Sequence, residues 1–163
     1  MFELYDYNNK ISKEKYYQIY QIIINNYFER NKDLISKRKE IDTEEAYNNW
    51  INTITNTKDY NILLYYIDNT IVSFVSFMYM KESLCLSEVQ LKKEYQGKKI
   101  LKILLNEVLK KSNKYKPKTI CGTINPKNTK SIQVFTHIGL KNTVNKWYEI
   151  DYNDLKKWIS NND

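Results

Sequence analysis

Residues Glu88 to Leu105, EVQLKKEYQGKKILKILL, constrain this chain more than any other stretch. They read as a strand, a short loop holding one glycine, and then a helix. Ile100, Leu101, Leu104, Leu105, Val108 and Leu109 recur at helical spacing and give that helix one apolar stripe. Its start is unusual, because Lys98, Lys99 and Lys102 stand there without a carboxylate. A helix N-terminus already carries a partial positive charge and unpaired N–H groups, so each cation placed there is unfavourable by roughly 0.3–1 kcal/mol. An anion docked at the spot would explain the arrangement, since a glycine-entered helix N-terminus is suited to phosphate or pyrophosphate. The plainer reading is a solvated lysine face in a lysine-rich chain.

A chain of 163 residues fits one domain, expected to span 1–163, and is long enough to bury a core. Hydrophobic content of 42% and aromatic content of 14% argue for a folded chain and against disorder. The start, MFELYDYNNK, lacks a basic region followed by an apolar one, so no secretory leader is read, and no apolar run reaches membrane-span length. Cys85 and Cys121 lie in apolar, strand-like runs and are expected to be reduced core thiols of a cytoplasmic protein. Two cysteines and the single His137 have no metal-ligand spacing, so no metal is expected. The net charge of +7 admits a polyanionic partner. The lysines are scattered, however, and the joint excess of Lys, Asn, Ile and Tyr is what AT-rich coding produces. Nucleic-acid binding is therefore not expected as the main role.

The pattern along the chain predicts a strand over Phe2–Tyr7 and a helix from a Ser12 cap to about Arg30, with Tyr16, Tyr20, Ile23, Ile24, Tyr27 and Phe28 inward. Charged Asn31–Ile41 reads as a loop or frayed turn. Asp42 and Glu45 have capping-box spacing for a helix burying Ala46, Trp50 and Ile54. Tyr60–Ile67 and Ile71–Met80 form a hairpin around Asp68-Asn69-Thr70, and Lys81-Glu82 turns the chain into Leu84–Leu91. The loop and the helix to about Lys111 follow. Thr119–Ile124 reads as an interior strand, Asn125-Pro126 opens a further helix, Asn142–Tyr152 adds a closing strand or hairpin with Trp147 and Tyr148 among its inward candidates, and Asp154–Ser160 is a short terminal helix.

Two motifs carry a family likeness. Leu91-Lys92-Lys93-Glu94-Tyr95-Gln96-Gly97-Lys98-Lys99-Ile100-Leu101 resembles the acyl-CoA loop of the GNAT superfamily of acetyl-CoA-dependent N-acetyltransferases, roughly V-x-P-E-Y-Q/R-G-x-G-x-G/A before a long helix. Glu94 to Gly97 match, whereas Lys99 stands at a usual glycine and Leu101 at a usual small residue. The second motif runs from Asn128 through Ser131, Phe135 and Gly139 to Leu140 and is similar to that family's N-x-x-A/S-x-x-x-Y/F-x-x-x-G-F/L. The chain has only three glycines, Gly97, Gly122 and Gly139, and two of them fall where these motifs need them.

The resemblance implies a mixed α/β (α+β) fold: a mostly antiparallel central sheet of six to seven strands flanked by about four helices. It implies acetyl transfer from acetyl-CoA, as co-substrate, to an amine of a small molecule or peptide. Main-chain groups of Val89 and Leu91 would meet the pantetheine arm. Gln96, Gly97, Lys98, Lys99, Ile100, Leu101 and Lys102 would surround the pyrophosphate, and Asn128 and Phe135 would contact the arm from the later helix. The reaction needs a deprotonated amine and a protonated leaving thiolate. The base candidate is Glu88, whose plainer reading is an exposed strand residue. Family members often donate the proton from a tyrosine where Phe135 stands, so Tyr148, Tyr79 or water must serve instead. The region before the sheet, with its tyrosines and Trp50, is where such enzymes build much of the acceptor site. No membrane partner is expected, and the chain should be a monomer or homodimer. The alternative is a non-catalytic acyl-CoA-binding or sensing module, suggested by Phe135, Lys99 and Leu101. A weaker third reading is a basic nucleic-acid-binding domain.

Overall fold

The computed structural model describes every residue except Tyr7, Lys58, Asn162 and Asp163, so Tyr7, expected to end the first strand, lies outside the described residues. Seven strands hydrogen-bond in the order β1-β2-β3-β4-β5-β7-β6. They are β1 Phe2–Tyr5, β2 Tyr60–Ile67, β3 Thr70–Met80, β4 Ser83–Leu91, β5 Thr119–Thr123, β6 Lys141–Val144 and β7 Trp147–Asp151. Six α-helices are described: α1 Lys13–Arg30, α2 Arg38–Ile41, α3 Glu44–Thr55, α4 Ile100–Ser112, α5 Thr129–Ile138 and α6 Tyr152–Asn161. The chain divides into two compact units, Met1–Ser76 with Val89–Ile100 and Phe77–Glu88 with Leu101–Asp163.

In the first unit α1 starts as the sequence predicts, with the Ser12 hydroxyl accepting from Lys15 N–H at 3.3 Å. The segment after it departs from expectation. Lys32–Lys37 is a 3-10 helix and α2 adds a single turn, because Leu34 and Ile41 pack against the buried Tyr20, Ile24, Phe28 and Tyr47. Helix α3 is capped by Thr43, whose Oγ1 accepts from Ala46 N–H at 3.1 Å, and not by Asp42. Asp42 instead ends α2 and lies 3.6 Å from the Arg38 guanidinium. Tyr47 and Ile54 are the buried residues of α3, while Ala46 and Trp50 are half-buried. Trp50 sits against the rings of Tyr16 and Tyr20, with centroids 6.2 and 5.5 Å away.

Strands β2 and β3 join at Asp68 and Asn69, both with positive φ (47° and 59°), the backbone that matches the twist of a two-residue hairpin. Seven consecutive residues of β3, Ile71 to Phe77, are buried, which marks a strand covered on both faces. Strand β1 is held by register and by charge. Leu4 pairs with Leu63, and Glu3 accepts from Lys15 Nζ, from Tyr5 OH at 2.6 Å and from Tyr66 OH at 2.5 Å. The ammonium and the two hydroxyls hold the Glu3 carboxyl down at about 2, and Glu3 in turn raises Lys15.

In the second unit β4 and β5 run parallel from Ser83↔Thr119 to Leu86↔Gly122, and β7 pairs antiparallel with β5 over Thr119–Thr123. Cys85 and Cys121 stand directly opposite in that register, with Cα atoms 4.7 Å apart, and form a disulfide. This corrects the expectation of reduced thiols: a sequence separation of 36 residues hid the fact that the fold makes the two cysteines neighbours. Helix α5 begins later than Asn125-Pro126 suggested. Asn128 is its cap, with Oδ1 accepting from Ser131 N–H at 3.2 Å, while Asn125 Oδ1 closes a local turn on Lys127 N–H. Gly139, φ +107°, ends the helix in left-handed backbone. Helix α6 is longer than predicted. It buries Tyr152, Leu155 and Ile159, and the Tyr152 hydroxyl donates to the Leu109 carbonyl at 3.1 Å.

Two outcomes follow from this packing. A Cβ at Gly122 would lie 2.8 Å from the Leu86 carbonyl oxygen, so Gly122→Ala should lower unfolding stability by about 1–3 kcal/mol in urea titration. Glu3 has a folded pKa below its ordinary value of 4.5, so its contribution is complete above 4.5 and lost as pH falls towards 2. Stability measured across that interval should fall more steeply for the native chain than for Glu3→Gln.

Candidate active site

The end of β4 presents its main chain to two edges. Lys92 N–H donates to the Val72 carbonyl on β3 at 2.9 Å. Successive residues of a strand turn their N–H and C=O groups to alternate sides, so Gln90 also faces β3, and Val89 and Leu91 face the opposite edge. The Leu91 carbonyl is met there by side chains: Asn26 Nδ2 at 2.9 Å and Gln96 Nε2 at 3.4 Å. Parallel pairing with β5 has already stopped at Leu86 and Gly122.

Beyond β4 a 3-10 turn, Lys93–Tyr95, leads into the loop. Gly97 has φ +77°, and a Cβ there would meet nothing within 4 Å. Glycine is therefore favoured at this position by backbone conformation and not by crowding, and the space above it is open. Lys99 also takes left-handed backbone, φ +58°. That is a conformation in which an L side chain is disfavoured by roughly 1–2 kcal/mol, and it is the position where the related loop has glycine. Ile100 begins α4, so Lys98 and Lys99 lie in the loop ahead of the helix and only Lys102 is in its first turn, which contains no carboxylate. Lys98 Nζ lies 5.3 Å from the Tyr95 ring centroid, a cation–π contact that folds this lysine back over the loop. Of the α4 stripe, Ile100, Leu104, Leu105, Val108 and Leu109 are buried and Leu101 is half-buried.

In the second unit, Leu86 of β4, Gly122 of β5 and Tyr148 of β7 form one cross-strand row. Glu88 lies two residues further along β4; Glu88 and Tyr148 are both half-buried. Tyr79 is otherwise engaged. Its hydroxyl donates to Ser112 Oγ at 3.2 Å, its ring stacks on Tyr115 with centroids 3.8 Å apart, and burial raises its pKa above the usual 10. Asn128 and Phe135 sit seven residues apart, at the cap and in the body of α5, each half-buried. Among the described residues no group of three or more His, Cys, Asp or Glu is placed to hold a metal, and no helix is long and apolar enough to cross a membrane.

The model of the acetyltransferase (GNAT) domain family matches residues 31–150. The chain belongs to the GNAT family. It is thereby an acyltransferase, and the α/β fold expected from the two motifs is the one found. No protein of curated function matches the sequence. Among solved structures, the GNAT chain is similar to the PaiA N-acetyltransferase of Thermoplasma acidophilum, crystallised with coenzyme A: TM-score 0.66, 20% identity, 93% of this chain and 98% of that one. It is similar to an acetyltransferase of Thermus thermophilus, with TM-score 0.69, 13% identity, and 93% and 97% covered. A third is the ribosomal-protein-S18-alanine N-acetyltransferase of Escherichia coli, with TM-score 0.62, 9% identity, and 93% and 94% covered. At such identities these likenesses speak for the fold alone.

Lys99→Gly removes the left-handed strain but adds freedom to the unfolded chain, which offsets about 0.4–1 kcal/mol. The net expectation is a gain of at most about 1.6 kcal/mol, roughly 3–6 °C in Tm. Gly97→Ala, at the same loop, should instead lower Tm.

Proposed function

We propose that this GNAT protein moves an acetyl group from acetyl-CoA to an amine of a small molecule or peptide, with 1–163 acting as one domain. The observation that carries the reading is the loop at Gly97. It combines open space, left-handed backbone at Gly97 and again at Lys99, and a helix start without a carboxylate, next to a strand edge that faces away from β3. A phosphate-bearing cofactor fits that chemistry. The main chain at Val89 and Leu91 would hold the pantetheine arm. Gln96, through its bond to the Leu91 carbonyl, would brace the turn. Amides from Gly97 through Ile100 and Leu101 to Lys102 would take the pyrophosphate, with Lys98, Lys99 and Lys102 offsetting its charge. Asn128 and Phe135 are assigned to the same cofactor by their places in the family's second motif. No metal is needed for this chemistry. Solved neighbours holding coenzyme A or acetyl coenzyme A support the choice of cofactor.

When bound, the thioester supplies the acyl carbon: the amine nitrogen forms a bond to it as the C–S bond breaks. Glu88 would take the proton from the attacking amine, and Tyr148 would return one to the departing sulfur. Strand alternation gives Glu88 the same face as the Leu86–Gly122–Tyr148 row, and Gly122 leaves that face without a side chain between Leu86 and Tyr148. The occupied hydroxyl of Tyr79 favours Tyr148 over it. A cytoplasmic monomer or homodimer acting on an amine of a small molecule or peptide suits this reading. A second reading, an acyl-CoA-binding module without turnover, is favoured by Phe135, which carries no hydroxyl where the family often has one.

Calorimetry should show heat for both CoA and acetyl-CoA, and absence of both signals would overturn the assignment. With a responsive amine, Glu88→Gln should lower kcat/KM about 100-fold at neutral pH with little change in the KM for acetyl-CoA. Binding without release of thiol for any amine would establish the module instead.

A further inference from the structure

A groove of about 700 Å³ opens in the first unit, walled by the second half of α1, the 3-10 segment after it and Lys92–Glu94. Its size is that of a small-molecule site. Ile22 and Phe28 supply an apolar floor. Asn26, only 8% exposed, lies in the wall and reaches through it: its Nδ2 donates to Gln90 Oε1 and to the Leu91 carbonyl, both at 2.9 Å. One buried amide thus lines the groove and bonds the strand residue assigned to the cofactor arm.

The charges around the groove are unevenly matched. Lys93 is paired with Glu29 at 2.7 Å, and Arg38 is engaged by Asn25 Oδ1 at 2.7 Å and by Asp42. Among the described residues, no carboxylate pairs with Lys32 or with the half-buried Lys92. Glu94, also on the rim, is exposed. The lining carries four cations, Lys32, Arg38, Lys92 and Lys93, against two carboxylates, Glu29 and Glu94. A lysine beside an apolar floor, with no carboxylate on it, has its charge open to an anion that enters the groove.

We propose that this groove is the acceptor site, and that the acceptor is a compact amine carrying a carboxylate or phosphate held by Lys92 and Lys32. A polyamine would meet an excess of positive charge there. The assignment as acceptor site rests on reading the Leu91 edge as the cofactor edge; the preference for an anion rests on the groove's own charges.

The test uses the full chain with saturating acetyl-CoA and pairs of amines of matched size, with the anionic group present or replaced by a neutral amide, together with spermidine. Thiol release should favour the anionic member of each pair by about tenfold or more in kcat/KM. The double variant Lys32→Gln/Lys92→Gln should erase that preference by raising KM for the anionic amines, while KM for acetyl-CoA stays unchanged. Independently of turnover, the anionic amines should raise the Tm of the CoA-loaded native protein and fail to do so for the double variant, whose own Tm should be close to native. Preference for neutral amines or spermidine, or equal losses on both members of a pair, overturns the proposal. CoA binding with no response to any amine also overturns it but leaves the cofactor reading intact; absence of CoA binding removes that reading first.

Discussion

Strands β4 and β5 can share hydrogen bonds only as far as Leu86 and Gly122, and much of the chemistry proposed here follows from that limit. A strand that continues past its partner keeps presenting main-chain groups, which must be satisfied in some other way. The Leu91 carbonyl receives side-chain amides from Asn26 and Gln96. Val89 shares that edge, on a strand held from the other side by β3. The same row places Gly122 where a methyl group would strike the Leu86 carbonyl, so the end of the parallel pairing is also the place where no side chain fits.

The loop that follows meets a second constraint. Between Gln96 and Ile100 the chain must leave a 3-10 turn and enter α4, and it does so through left-handed backbone at both Gly97 and Lys99. The first is met by a residue for which that conformation has no steric penalty. The second is met by a lysine, at a small free-energy cost, and the cation adds positive charge ahead of a helix whose first turn is already without carboxylates. Both features disfavour the isolated fold slightly and favour an anion at the loop, a conflict between local preference and overall structure of the kind found at functional sites.

Most elements were legible because their signals are local. The Ser12 cap, the stripe on α4, the hairpin turn at Asp68-Asn69 and the glycine that ends α5 each depend on residues a few positions apart. The structure departs from the sequence pattern where two local signals compete. Asp42 and Thr43 both suit an N-cap, and Thr43 took the role once Arg38 had engaged Asp42. Asn125-Pro126 and Asn128 compete in the same way, and the helix opened at the later one. The charged stretch after α1 looked unstructured because its two anchors, Leu34 and Ile41, are too widely spaced to make a periodic pattern.

Order and spacing of residues alone determined the succession of strands and helices, the glycine positions that require left-handed backbone, and the two motifs pointing to the acetyltransferase family. All of these are carried by near neighbours in the chain, where sequence distance and spatial distance agree. Only the tertiary structure decided that Cys85 faces Cys121, that Asn26 reaches Leu91, that Gly122 pairs with both Leu86 and Tyr148, and that Lys92 opens onto a groove richer in cations than in carboxylates. Those facts depend on strand register and on how far each pairing runs, which are set by the competition of many distant contacts for the same edges and not by any one stretch of residues.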